Sequence, residues 1–153
     1  MRANLSPSRL VCWVLAVLSL LVSAPLRADA ADLKLQAQLV WCTDDSKPPE
    51  GKDYKPVEPA IQKKLPPLKW KNYFEVNRTD FTVAPEATKK VPVSEKCSLN
   101  VLNHNNSSVE VSWIGKGKEV LKRTQALSKG DILILGGNAP NATAYLVILK
   151  RLE

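Results

Sequence analysis

Leu33-Lys34-Leu35-Gln36-Ala37-Gln38-Leu39-Val40-Trp41 is the stretch on which the fold turns. Leu33, Leu35, Ala37, Leu39 and Trp41 alternate with Lys34, Gln36, Gln38 and Val40. An extended backbone sends successive side chains to opposite sides, so this pattern builds a strand with one dry face. The same period recurs downstream in Trp70, Asn72, Phe74 and Val76, in Cys97, Leu99 and Val101, and in Val109, Val111 and Trp113. Phe81 and Val83 form a short continuation, and Glu119 to Leu127 gives a weaker signal. Lys90 to Val93 reads as an edge strand, because Pro92 lacks the N–H needed to pair on both sides. Ile132 to Leu135 is unbroken apolar sequence, as expected of a strand covered on both faces, and Thr143 to Leu149 closes the series.

Polar or glycine-bearing turns separate these segments at Asn103–Ser107, Gly115–Lys118, Leu127–Asp131 and Gly136–Asn141. Eight strands at such spacing, without a long amphipathic helix or a repeat, give an all-β chain: an antiparallel sandwich or barrel, with the sandwich of seven to eight strands adopted.

Residues 42–69 are of another character. Six of the eleven prolines (48, 49, 56, 59, 66 and 67) fall here among lysines and acids, so no central strand can run through. Pro59 suits the first position of a short helix, and Ile61 and Leu65 fall on one face of it. A loop this long in a small domain is either a functional surface or a tethered excursion.

Ahead of the strands stands an address. Arg2 and Arg9 precede an apolar run from Leu10 to Val22, and Ala28-Asp29-Ala30 fits the small-x-small pattern of a cleavage site. As a helix the run would span about 20 Å, short of a roughly 30 Å bilayer core. Residues 1–30 are therefore expected to be a signal peptide cut after Ala30. Residues 31–153 would then be a single secreted or periplasmic domain with no stable membrane span. The full chain has 22 Lys+Arg and 15 Asp+Glu. Loss of Arg2, Arg9, Arg27 and Asp29 leaves 19 basic and 14 acidic groups, a mild excess spread along the chain. Without an arginine-rich or aromatic-basic motif, it does not point to nucleic acid.

Cys42 and Cys97 remain after cleavage, and in an oxidising compartment an even pair reads as one disulfide worth about 4 kcal/mol. The order Cys42, Trp70, Cys97 resembles the outline of an immunoglobulin domain. Trp70 falls 28 residues after Cys42, about twice that family's spacing, and Glu95 stands where its conserved tyrosine would be. The resemblance is architectural only and carries no functional residue.

Chemistry is poorly provided for. His104 is the only imidazole, in a polar turn and without a nucleophile motif, so no catalytic residue is assigned. Zinc lacks a ligand cluster, and Asp44, Asp45, Glu50 and Asp53 match no calcium loop and are offset by Lys47, Lys52 and Lys55. The same carboxylates lack a cleft for glycoside hydrolysis. Gly136-Gly137 lacks the Lys-Ser/Thr of a phosphate loop. No metal or cofactor is expected. Sequons occur at Asn77, Asn105, Asn106 and Asn141.

The expected function is that of an exported, non-catalytic binding domain recognising a protein or an envelope polymer. Its binding surface is expected on the proline/lysine loop and adjoining rings: Tyr54, Lys63, Lys64, Lys69, Trp70 and Tyr73, with Tyr54 and Tyr73 the exposed rings. The alternatives are a carbohydrate-binding module using Trp70 and Tyr73, and an assembly subunit using the Lys89–Ser94 edge. Expression in a host with signal peptidase should release a product whose intact mass and N-terminal sequence begin at Ala31.

Overall fold

The computed structural model describes residues 31–105, 107–138 and 143–153. The leader, its cut after Ala30, and the sequons at Asn106 and Asn141 lie outside the described residues. Among the described residues nine strands and one short helix follow in order: β1 (Leu33–Thr43), β2 (Lys55–Pro56), α1 (Pro59–Gln62), β3 (Asn72–Val83), β4 (Thr88–Ser94), β5 (Cys97–Asn103), β6 (Ser108–Gly115), β7 (Lys118–Ala126), β8 (Ile132–Asn138) and β9 (Ala144–Arg151). They form two antiparallel sheets, ordered β2-β3-β1-β9-β8 and β4-β5-β6-β7, packed as a β-sandwich.

The alternating segments meet between the sheets. Leu35, Leu39, Leu133, Leu135, Val147 and Leu149 from the five-stranded sheet face Leu99, Val101, Val109, Val111 and Trp113 from the other, all buried. The four-stranded sheet keeps a wetter outer face, and β4 and β5 keep their period of two. Along β1, β9 and β8 the pattern differs. Val40, Cys42, Ala144, Leu146 and Ile148 are buried on the sheet's outer face in a second apolar cluster.

The cover over that face is the proline-rich segment. Val57 and Ile61 are buried in the second cluster, and Leu65, Leu68, Trp70 and Tyr73 pack against it. α1 is about one turn long, as a short helix starting at Pro59 implies, and it aims Ile61 inward. The ends of the segment are stitched together. The Lys71 N–H donates to Asp44 Oδ1 at 3.1 Å, and Asn72 Nδ2 donates to the Asp45 carbonyl at 2.9 Å. Arg78 on β3 clasps Glu58 at 2.7 Å and Glu75 at 2.6 Å. Such exposed ion pairs contribute roughly 0–1 kcal/mol, whereas each large buried apolar side chain contributes about 1.5–3 kcal/mol. Packing therefore holds the cover down.

Several expectations change. The segment is a structural layer, not a free excursion. β3 runs on through Phe81 and Val83, the continuation expected, with a register shift opposite Leu39/Val40 that leaves Val76 without a partner. Trp70 lies before β3 and joins Tyr73 on the outer face, so these two rings are half-buried together rather than on opposite faces. Tyr54 is also half-buried, its ring meeting Trp41 edge-on at 6.4 Å.

The expected disulfide is absent. Cys42 and Cys97 are both free thiols. Cys42 points into the outer cluster, while Cys97 packs against the core between the sheets, so β1 itself stands between them. β4 and its proline do form a sheet edge, and Ile132 to Leu135 is covered on both faces, as expected. Among the described residues no helix is long and apolar enough to cross a membrane.

Ile61→Ala should lower the unfolding free energy in denaturant titrations by about 2–4 kcal/mol, as for other buried aliphatic truncations. Lys63→Ser, on the exposed side of the same turn, should change it by less than about 0.5 kcal/mol.

Candidate functional site

The residues expected to bind do not form one surface. Lys63 and Lys64 are exposed, and Lys64 Nζ donates to the Gly130 carbonyl at 2.9 Å, pinning the cover beside β8. Lys69 Nζ lies 5.0 Å from the Trp70 ring centroid. The Tyr73 hydroxyl donates to the Trp70 carbonyl at 3.0 Å, and burial raises its phenol above the usual value. These groups secure the outer layer. Tyr54 alone turns toward a concavity.

That concavity is a cleft of about 590 Å³ at one end of the sandwich, entered between the two sheets. Leu39, Val76 and Tyr145 wall it from the five-stranded sheet, and Cys97, Trp113 and Val120 from the other. Tyr54 and Lys52 reach it from the covering segment, and Ser94, Glu95, Lys96 and Lys116 from the hairpin turns at the rim.

The cleft exists because the ladders slip here. Val76 is the extra residue of the β1–β3 shift, and Val120 that of a shift in which Trp113 faces Leu121 but Ile114 faces Glu119. Val93 is extra in a third shift, just before the β4–β5 turn. A bulge bends its strand and re-aims one side chain. Two of these three valines line the cleft, one in each sheet. Glycine completes the shape. An added Cβ on Gly137 would sit 3.4 Å from the Trp113 ring, and one on Gly115 only 2.9 Å from Val120 Cγ2. The bare backbone of β8 is thus the surface on which Trp113 lies.

Three features of the lining are unusual. The Trp113 indole Nε1 is buried and has no hydrogen-bond partner among the described residues. Lys116 holds a φ of 50°, left-handed backbone that a non-glycine residue seldom adopts. Its N–H donates to the Lys96 carbonyl at 3.0 Å, which ties the two rim turns together. Finally, Lys52, Lys96 and Lys116 stand at the rim with no ion pair to a carboxylate among the described residues.

Burial raises the Tyr145 phenol above its usual value, with Tyr54 and Cys97 adding to the effect, so it remains a neutral donor at physiological pH. The cleft therefore offers an apolar body, the neutral hydroxyl of Tyr145, the thiol of Cys97 and a cationic rim.

Of this set the sequence points to Tyr54 alone as a binding residue, and to Cys97 only as a bridge partner. Lys116-Gly117 and Gly136-Gly137 were visible as turn signals, but slips of register leave no mark in composition. His104, the one imidazole, lies 3.9 Å from Glu110 Oε2 in a turn at the far ends of β5 and β6. Asp44 and Asp45 are engaged in closing the covering segment.

Set against known proteins, the chain matches no family model, no curated protein and no solved structure.

The two thiols should differ sharply in reactivity. Burial pushes Cys42 up to about 12, leaving a thiolate fraction near one in ten thousand at pH 8. A disulfide reagent should modify Cys97 alone in the folded domain, and a second thiol should appear only in denaturant.

Proposed function

We propose that the protein is an exported, non-catalytic binding domain whose end cleft holds an apolar or aromatic group belonging to an anionic ligand. The observation that carries this reading is the lining of the cleft, in which Leu39, Val76, Trp113 and Tyr145 form an apolar body beneath a rim bearing Lys52, Lys96 and Lys116. The cleft volume falls within the range of about 300–1,000 Å³ common to small-ligand sites.

The strained turn at Lys116 supports the same assignment, since unfavourable backbone is retained where surrounding structure holds it for use. The three unpaired rim lysines favour anionic over cationic ligands. The ligand group would be supplied by a protein or an envelope polymer. A carbohydrate module built on Trp70 and Tyr73 is less well supported, because both rings serve the packing of the outer layer.

Titration with 2-naphthoate, followed through the tryptophan indole N–H signals in a nitrogen-correlated NMR spectrum, tests the proposal. The Trp113 signal should move while that of Trp70 stays still. The neutral alcohol of the same ring system should bind about three- to tenfold more weakly, as should the acid after Lys116→Glu. A Trp113 signal unmoved at about 10 mM naphthoate, a concentration that would half-fill even a very weak site, would remove the cleft from consideration.

A further inference from the structure

Beyond the cleft, we infer that β7 is a docking edge for an extended acidic segment of a partner protein, which joins the four-stranded sheet as a fifth strand. β7 is the last strand of that sheet, paired only with β6 among the described residues. Eight of its nine residues are exposed, the exception being half-buried Gln125. An edge strand turns half of its N–H and C=O groups outward, and strand addition uses them for affinity.

The other edge of the same sheet shows how a closed edge looks. β4 carries Pro92 and a bulge at Val93, and both ends of it are tied to β3. Asn77 Nδ2 donates to the Val93 carbonyl at 3.1 Å, and Lys89 Nζ donates to the Thr82 carbonyl at 3.1 Å. Proline, bulge and cross-links together deny that edge to another strand. The assembly alternative over Lys89–Ser94 thus loses to β7, which has no proline and no such ties among the described residues.

β7 also carries what a docking strand needs. Val120 and Leu121, 60% and 37% exposed, are the exposed large hydrophobic residues among the described residues, and they are adjacent. Leu121 pairs with Trp113 and Arg123 with Val111, so both stand on the flank that faces the opposite sheet without being covered by it. Lys118, Lys122 and Arg123 stand against Glu119 within the strand, with Lys116 at its start. Glu110 of the neighbouring strand engages Lys122 at 2.7 Å and leaves the rest unneutralised.

Lysines on an edge also discourage pairing between copies of a chain, so a second molecule would set this positive edge against itself. An acidic segment meets it with opposite charge. Val120 belongs to both the edge and the cleft wall, which brings an added strand to the cleft mouth.

The test uses two ten-residue probe peptides of Thr and Val, one carrying five Glu and the other five Lys, with amide hydrogen exchange read residue by residue. The acidic peptide should slow exchange within Lys118–Ala126 at least about tenfold and leave β4 unchanged. It should bind about tenfold more tightly than its lysine counterpart and weaken with added salt. The double variant Lys118→Glu/Arg123→Glu, with unaltered circular dichroism, should lose about tenfold in affinity for the acidic peptide. Equal binding of the two peptides, or binding that leaves β7 exchange untouched, overturns the inference. So does protection of β7 that rises with protein concentration alone, since the edge would then belong to a second copy. Failure here with the naphthoate response of Trp113 intact removes the edge and leaves the cleft, and the converse result does the reverse.

Discussion

Water has to be kept from both faces of the sheet made by β1, β9 and β8, and the rest of the molecule is arranged around that requirement. The inner face is dried by the opposing sheet. The outer face has no second sheet, and a segment rich in proline lies over it instead, lending Val57, Ile61, Leu65 and Leu68 as its underside. Proline is suited to such a layer. It fixes φ and lacks a donor, so a covering chain made of it leaves fewer backbone groups in need of partners. The lysines and acids between the prolines face solvent, with Lys64 bonded to Gly130 and Glu58 to Arg78 as ties to the rest of the domain.

The alternation that begins at Leu33 and recurs along the chain narrows the fold to an antiparallel sandwich or barrel, because short strands with one apolar face have few other ways to bury it. Its breakdown carried further information. Leu39-Val40-Trp41-Cys42, Ile132-Leu133-Ile134-Leu135 and Tyr145-Leu146-Val147-Ile148-Leu149 are continuous apolar runs in strands that lie side by side. Three adjacent strands dry on both faces demand a cover, and the segment between Cys42 and Lys69 is the long irregular stretch able to supply it. Only the adjacency was missing, and adjacency is a long-range property that local pattern does not contain. The face assigned to Trp70 failed for a related reason, since the residue stands just outside the strand whose period was extended to include it.

The cleft was less legible. It arises from three slips of one residue each, at Val76, Val93 and Val120, and valine in a strand looks the same whether it is paired or extra. A bulge depends on the relation between two strands rather than on the composition of either. The turn at Lys116-Gly117 was readable as a hairpin, but not the left-handed conformation of Lys116 or its bond to the neighbouring turn. Chemistry at this end of the molecule comes from side chains common elsewhere, and only their placement distinguishes them.

The two thiols are parted by the thickness of β1. Among the described residues, stability rests on two apolar layers and not on a disulfide, and the thiols stand on opposite sides of the sheet that joins those layers. One is sealed beneath the proline-rich cover, and the other lines the cleft.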